Sequence, residues 1–245
     1  MSQIPQAPRY KPDRAIEEVA TFLADPVHAA DFPNTILRFR NDKAAADLGL
    51  ESLEDAQWVA HFGRFTPLPG SLPQPLALRY HGHQFRSYNP DIGDGRGFLF
   101  AQMRDTQGRL MDLGTKGSGQ TPYSRFGDGR LTLKGAVREI LATEMLEALG
   151  VETSRTFSVI ETGEALHRGD EPSPTRSAVL VRLSHGHIRI GSFQRLATLG
   201  LTEELRRLTA YALRHYYGEE DGQDAAVRLV QQVVRKTAHL AASYM

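Results

Sequence analysis

The chain has no cysteine among its 245 residues. Disulfide bonds, thiolate metal sites and cysteine nucleophiles are excluded, because each of them needs a thiol. The sequence also has no apolar run near the ~18 residues that a membrane-spanning helix needs, and residues 1–14 are polar and lack an apolar signal-peptide core. These absences predict a cytoplasmic protein with no membrane partner.

A net charge is missing as well, since 29 Lys and Arg residues balance 29 Asp and Glu residues. The chain therefore has no overall field that would drive nonspecific binding to nucleic acid, and we expect no nucleic-acid partner. Hydrophobic residues make up 40% of the chain, which is ordinary for globular proteins and excludes wholesale disorder. Lysine is scarce, with five copies, so a lysine among glycines stands out.

The predicted elements divide the chain into three parts. Residues 1–75 are interpreted as a leader region built around short helices. Residues 76–195 carry short apolar runs punctuated by glycine, together with one long helix, and residues 196–245 have a purely helical pattern. Helices, then a small sheet with a helix, then helices again favour the α+β class.

Two elements in the middle part have clear boundaries. The runs 97–105 and 109–117 flank a short turn that contains glycine, which is typical of a β-hairpin. Residues 132–149 are predicted to form a helix that stops at Gly150. Apolar residues recur along this helix at Val137, Ile140, Leu141, Met145 and Leu149.

The remaining segments follow the same reasoning. Residues 156–162, 177–183 and 187–193 are predicted to be strands. Residues 202–217 and 224–245 are predicted to be helices. The last of these helices carries an apolar stripe formed by Val227, Val230, Val234 and Leu240.

Glycine-rich loops are the first candidates for chemistry. Gly93–Arg96 and Gly127–Arg130 both have the sequence Gly-Asp-Gly-Arg, and the second lies just before the long helix. Alternating glycines let the backbone approach a phosphate closely, and an arginine can bind it bidentately. The alternative is an ordinary turn in which glycine supplies a positive φ. The sequence leaves both open.

Three cations and one carboxylate are the next candidates. Lys116 is predicted at a strand end between glycines, and Glu139 follows 23 residues later on the long helix. Kinase-like folds hold a strand lysine against nucleotide phosphates with such a helix glutamate. Arg182 and Arg189 lie in neighbouring apolar runs, where a charge needs an anionic partner. The alternatives are a solvated lysine and arginines that pair with carboxylates of the protein.

Histidines form a rival set, His81-Gly82-His83 and His185-Gly186-His187. Four imidazoles could hold zinc, copper or iron. The chain has no His-Glu-x-x-His motif and no carboxylate at a recognisable ligand spacing, so we predict no metal ligands and mainly structural histidines. It also lacks the Gly-x-Ser-x-Gly motif of serine hydrolases.

Several motifs in register carry a family resemblance from about residue 34 to residue 193. The sequence closely resembles the selenoprotein O family of kinase-like proteins. The motifs are Tyr80-His81-Gly82-His83-Gln84-Phe85, Tyr88-Asn89-Pro90, Gly93–Arg96, Lys116-Gly117-Ser118-Gly119, TPYSRFGDGR at 121–130, Arg138-Glu139, Leu149-Gly150, Arg182, and Arg189–Phe193.

This resemblance implies a pseudokinase fold, with a small mixed or antiparallel sheet and a long helix forming a nucleotide-binding lobe before the first helices of a C-lobe. It implies ATP bound in an inverted orientation and transfer of AMP to hydroxyl side chains of protein substrates. It also implies that Lys116 contacts phosphate and is held by Glu139. The other residues implied to bind the nucleotide are Gly93, Gly95, Arg96, Asp128, Gly129, Arg182 and Arg189.

The sequence departs from the family pattern in three places. Arg86 stands where the family usually has glycine, and Gly114 and Thr115 replace bulkier residues before the lysine. No asparagine follows Asn89, so a metal-binding asparagine cannot come from later in this chain. The resemblance therefore places the catalytic Asp-Asn pair and the ligands of Mg²⁺ or Mn²⁺ downstream of Met245.

We accordingly expect these 245 residues to be the N-terminal portion of an adenylyltransferase, inactive by themselves. The alternative is a non-catalytic nucleotide-binding or interaction module. The apolar stripe of the last helix predicts association through that helix.

Overall fold

The computed structural model of the chain describes residues 9–84 and 86–245, so Phe85 of the first motif lies outside the described residues. The described part contains seven α-helices and ten β-strands, and the α+β class is confirmed. The helices are α1 (Glu17–Leu23), α2 (Asp42–Leu48), α3 (Asp55–Phe62), α4 (Leu133–Ala148), α5 (Ile190–Thr198), α6 (Thr202–Ala212) and α7 (Ala225–Ser243). The strands are β1 (Pro12–Asp13), β2 (Ala24–Pro26), β3 (Ile36–Arg40), β4 (Leu76–Gln84), β5 (Ser87–Gly93), β6 (Leu99–Arg104), β7 (Leu110–Lys116), β8 (Leu131–Thr132), β9 (Arg155–Leu166) and β10 (Thr175–Ser184).

The strands form one antiparallel sheet with the central order β2-β4-β6-β7-β10-β9-β3. The predicted hairpin is confirmed as β6 and β7, with Arg104 opposite Leu110. The sheet is larger than the resemblance implied, because β1, β2 and β3 pair with β6, β4 and β9. Residues 12–40 thus contribute three strands to the sheet that carries the candidate site.

The strand predicted over 187–193 is wrong. The chain runs as a loop to Arg189 and then forms α5. A strand would point Gly191 and Ser192 to opposite sides, whereas both pack against β4. A Cβ on Gly191 would lie 2.1 Å from the backbone oxygen of His81, and the Ser192 hydroxyl donates to another β4 carbonyl at 3.1 Å. Helical winding is what lets neighbouring residues share this contact.

Helix α4 is confirmed within one residue of its predicted start and end. The Thr132 hydroxyl accepts a hydrogen bond from the Gly135 amide at 3.1 Å, which caps the first turn. Small residues face the sheet, since Ala136 and Thr143 are buried and Ile140 is partly buried. The rest of the predicted apolar stripe is exposed, namely Val137, Leu141, Met145 and Leu149.

Aromatic packing joins the first 75 residues to the sheet. Trp58 of α3 is fully buried and stacks on Phe157 of β9, with ring centroids 4.9 Å apart. Phe62 meets the Trp58 ring edge-on at 4.6 Å. The indole N–H donates to the Ser158 hydroxyl at 2.9 Å, which satisfies its only polar group. This cluster holds α3 on the sheet face opposite α1 and α6.

The helical C-terminal part is confirmed as α6, a π-helical turn over Leu213–Tyr217, and α7. Along α7, Ala225 and Leu229 are buried, whereas Val227, Val230 and Val234 are exposed. In residues 9–84 and 86–245, no helix combines the length and the apolar character needed to cross a bilayer.

Candidate functional site

A cavity of about 1050 Å³ opens between the two Gly-Asp-Gly-Arg loops, the ends of β7 and β10, and the loop 184–189. Its position follows from the topology, because β7 and β10 are neighbours at the centre of the sheet. Eight of the nine residues predicted for the site line this cavity: Gly93, Gly95, Arg96, Lys116, Asp128, Gly129, Arg182 and Arg189. The ninth, Glu139, borders an adjoining cavity and reaches Lys116 from α4.

Lys116 and Glu139 form an ion pair that links the end of β7 to α4. The second carboxylate oxygen of Glu139 accepts from Arg182 of β10, so one carboxylate serves two cations. Burial, followed by the charges of Arg96 and Arg182, lowers the pKa of Lys116 to about 8. Burial and two neighbouring guanidinium groups thus disfavour the charged form of Lys116, despite its pairing with Glu139.

Arg182 keeps one donor unused. Its Nε is buried and has no hydrogen-bond partner among the described residues. Burial, with the charge of Arg189, lowers the pKa of Arg182. A buried donor without a partner costs free energy.

Arg189 reaches the cavity from the residue before α5. Its guanidinium lies 3.4 Å from Asp94 and over the Tyr80 ring, 5.0 Å from the centroid. Asp94 is buried and accepts from the Leu78 amide at 3.0 Å, and His187 Nε2 lies 2.9 Å from it. Although burial acts to raise it, the pKa of Asp94 is lowered, because His187 and Arg189 stand beside the carboxylate. Arg189 therefore pairs with a carboxylate of the protein, as one interpretation expects. It also lines the cavity, where the other interpretation places an anionic ligand.

In the first glycine loop, the glycines provide space for neighbouring groups. The residues with positive φ do not include Gly93, Gly95 or Gly97. A Cβ on Gly97 would lie 2.0 Å from the Thr115 oxygen, and one on Gly93 would lie 2.4 Å from the Tyr123 ring. These glycines are therefore required because neighbouring protein atoms approach the loop closely. The interpretation that they supply a positive φ does not apply to this loop.

The second glycine loop needs glycine both for close approach and for a positive φ. Gly129 has φ +69°, and a Cβ there would lie 2.2 Å from the Gly119 backbone. Asp128 accepts from the Arg130 amide at 2.9 Å and pairs with Arg168 at 2.8 Å. Although burial acts to raise it, these contacts lower the pKa of Asp128, which keeps it ionised beside the cavity.

The departures from the family pattern have physical explanations. Arg86 has φ +68°, a backbone conformation that favours glycine, so the usual glycine would be unstrained there. Gly114 leaves room for His187, whose Nδ1 would lie 2.6 Å from a Cβ. The Thr115 hydroxyl accepts from the Phe98 amide at 3.0 Å. The end of β7 is therefore closely packed without the expected bulky residues.

Sequence reasoning missed part of the cavity wall. Seven Lys and Arg residues line it against two Asp residues, so the wall is strongly positive. Arg130 could have been found by analogy with Arg96, because both end a Gly-Asp-Gly-Arg loop. Arg168 had no signal, since it comes from the loop between β9 and β10. The missed residues with aromatic or basic side chains are Tyr80, Tyr123, Arg125, Phe126, Arg130, Arg168 and His187.

The histidines bond to other groups of the protein. His81 Nδ1 lies 2.7 Å from the Tyr88 hydroxyl. His185 Nδ1 and Nε2 lie 2.8 and 3.2 Å from the backbone oxygens of Leu110 and Tyr216. In the part of the chain that the structure describes, no group of three or more His, Asp or Glu side chains is arranged to hold a metal ion.

An α+β protein with a positively charged, glycine-walled cleft can bind a polyphosphate, and comparison with known proteins identifies its family. Residues 8–245 match the family described as protein adenylyltransferase SelO, and the chain belongs to that family. It is 51% identical over 242 residues to the protein nucleotidyltransferase YdiU of Synechocystis sp.. It is 53% identical over 224 residues to the protein of that name from Gloeobacter violaceus.

The matches cover most of this chain and part of each relative. The alignment with the Synechocystis protein covers 96% of this chain and 50% of the relative, and that with the Gloeobacter protein covers 90% and 46%. The chain thus spans about half the length of the curated relatives it matches.

Proposed function

We propose that this chain is the nucleotide-binding part of a protein adenylyltransferase that transfers AMP from ATP to Ser, Thr or Tyr hydroxyls of other proteins. The observation that carries the proposal is the convergence of eight residues, distant in sequence, on one cavity. Seven of them suit a phosphate, either as cations or as glycines that allow close approach, and the eighth is Asp128. The names of the family and of its relatives support the same class of reaction.

The pairing of Lys116 with Glu139 supports a kinase-like arrangement. A lysine at a strand end is held by a glutamate of the helix packed on the sheet, as in protein kinases. The pair leaves the ammonium of Lys116 facing the cavity, where it would contact a phosphate as a point charge.

In the proposed reaction, the substrate hydroxyl oxygen attacks the α-phosphorus of ATP, and the bond from that phosphorus to the bridging oxygen breaks. Pyrophosphate leaves with the electron pair, and a base takes the hydroxyl proton. Lys116, Arg182 and Arg189 would hold the phosphates and neutralise the charge that develops on them.

A magnesium site does not fit the described cavity. Its two carboxylates are engaged, Asp94 with His187 and Arg189, and Asp128 with Arg168. Neither carboxylate of this cavity is therefore free to hold a metal ion. The same observation favours a second candidate for this chain by itself, namely nucleotide binding without transfer.

Two measurements on the 245-residue chain test the proposal. The chain should bind ATP in a calorimetric titration, and Lys116→Ala should weaken this binding. Lys236→Ala, a change on the exposed side of α7, is the control and should leave the affinity unchanged. Incubation with labelled ATP and a general protein acceptor should give no labelled AMP on protein, because a base and metal ligands are missing from the site described above.

Each result has a contrary outcome. Failure of the chain to bind ATP would overturn the nucleotide site. Labelling that depends on Lys116 would show that the catalytic base lies within these 245 residues, which contradicts the second candidate.

A further inference from the structure

A short segment between the two glycine loops, residues 121–124, is bonded to the first of them. The Thr121 hydroxyl donates to the backbone oxygen of Asp94 at 2.5 Å. The Ser124 hydroxyl donates to the backbone oxygen of Gly95, also at 2.5 Å. We call residues 121–124 the clasp, because it holds two consecutive residues of the first glycine loop through their backbone oxygens.

Tyr123 is the central contact of the clasp. A Cβ on Gly93 would lie 2.4 Å from the Tyr123 ring, so the ring packs directly against the loop backbone. A Cβ on Gly95 would lie 2.8 Å from the backbone oxygen of Tyr123. The two glycines that line the cavity in this loop are therefore also the two that Tyr123 approaches.

The hydroxyl of Tyr123 is anchored to a different part of the chain. It donates to Asp25 of β2, which also accepts from Arg79 Nε of β4 at 2.9 Å. The hydrogen bonds from Arg79 and then from Tyr123 hold the pKa of Asp25 below its ordinary value. Burial and the bond to Asp25 raise the pKa of Tyr123 to about 12, so the phenol stays protonated and can donate. Tyr123 thus links the first glycine loop to the sheet.

We propose that Tyr123 is a positioning residue for the nucleotide, because its hydrogen bond to Asp25 fixes the first glycine loop in the shape that receives phosphate. The inference rests on the proposed function for its ligand. A loop that is held before binding loses less conformational entropy when the ligand arrives, so the anchor raises affinity. Strand β2, which lies outside the glycine-rich part of the chain, thereby contributes to nucleotide binding.

Tyr123→Phe tests this on the 245-residue chain, because it keeps the ring against Gly93 and removes only the anchored hydroxyl. Calorimetric ATP affinity should fall about three- to tenfold, as expected for one hydrogen bond. Hydrogen–deuterium exchange of residues 93–97 in the free protein should become faster, since the loop opens more often. The Asp94 amide, which donates to the Leu78 oxygen at 3.0 Å, is part of this segment.

Tyr10→Phe is the matched control. The Tyr10 hydroxyl donates to the Pro69 backbone oxygen at 2.7 Å, and Tyr10 is not among the described residues that line the cavity. This variant also loses one phenol hydrogen bond and should lower the melting temperature to a similar degree. Its ATP affinity and its exchange at residues 93–97 should match the wild type, which separates positioning from general stability.

A double variant tests whether Tyr123 acts through Asp25. Asp25→Ala removes the acceptor, so adding Tyr123→Phe to it should cost little further ATP affinity. Additive losses would show that the two residues act independently and would overturn the proposed anchor.

The two measurements on Tyr123→Phe also have contrary outcomes. Unchanged exchange at residues 93–97 would show that the hydroxyl does not hold the loop. Faster exchange with unchanged ATP affinity would show that holding the loop does not serve the nucleotide, so either result overturns the positioning role. Failure of the wild type to bind ATP would instead overturn the proposed function, while the exchange rates would still report whether Tyr123 holds the loop.

Discussion

At the scale of single residues, Lys116 is a cavity cation whose charge depends on its surroundings. Burial and two nearby guanidinium groups lower its pKa to about 8, so much of it is neutral above that pH. Phosphate favours the charged form and would raise the pKa in the complex. The proton is therefore taken up on binding, and affinity must fall as pH rises above 8.

We predict that ATP affinity decreases from pH 8 to pH 9.5, by about tenfold at most per pH unit for a single linked proton. Lys116→Arg keeps its charge over this range and should show a flatter profile. Calorimetric dissociation constants at matched ionic strength provide the measurement. Identical pH profiles for the two proteins would show that the protonation of Lys116 does not cause the pH dependence of ATP affinity.

For Arg182 and Arg189, the question is whether they bind ATP or serve as structural ion pairs. Each contacts a carboxylate of the protein, Glu139 or Asp94, and each also lines the cavity. We predict that Arg182→Ala and Arg189→Ala each weaken ATP binding by about ten- to a hundredfold, equivalent to roughly 1.5–3 kcal/mol. Glu139 would keep Lys116 as a partner, so the melting temperature should change little.

The measurement pairs calorimetric ATP affinity with thermal unfolding for both variants. A large loss of melting temperature with unchanged ATP affinity would show that these arginines act as structural ion pairs.

At the scale of elements, the second glycine loop offers a test of close packing. Gly129 and Gly108 both have positive φ, at +69° and +78°. A Cβ on Gly129 would meet backbone at 2.2 Å, whereas a Cβ on Gly108 would meet nothing within 4 Å. The two substitutions to alanine therefore share the backbone strain and differ only in the clash.

Gly108→Ala should destabilise the protein by about 1–2 kcal/mol from backbone strain. Gly129→Ala should cost at least about 2 kcal/mol more, because backbone atoms cannot move aside cheaply. Denaturant unfolding followed by the fluorescence of Trp58, the single tryptophan, measures both. Equal losses would show that the loop relaxes around a methyl group.

The predicted helices and strands are confirmed where the local sequence pattern and the tertiary packing favour the same structure. The hairpin of β6 and β7 and the helix α4 are local structures, so their turn and capping residues suffice to predict them. The strand predicted over residues 187–193 is wrong because contacts of Gly191 and Ser192 with β4 select a helix. The same limit applies to α4, whose periodicity predicts the helix but not which side faces the sheet.

At the scale of the whole molecule, exposed apolar side chains on α7 support the predicted association of chains. Val230 and Val234 lie on its exposed side, and apolar surface of this kind favours contact with another chain. We predict that Val230→Lys with Val234→Lys reduces self-association, with stability changed by less than about 0.5 kcal/mol at each exposed site.

Gln231→Lys, also exposed on α7, adds charge without removing apolar surface and is the control. Sedimentation velocity over a range of concentrations compares the proteins. Unchanged association in the double variant would place the contact elsewhere.

The sequence by itself determined the α+β class and the family, and it predicted most of the residues that meet at the candidate cavity. It could do so because glycine loops, a lysine at a strand end and their spacing are local features that survive without coordinates. Tertiary structure alone decided that β1, β2 and β3 share the sheet with the candidate site, and that Glu139 serves both Lys116 and Arg182. Those facts depend on pairing and packing between segments far apart in the chain, and no local pattern records which distant groups meet.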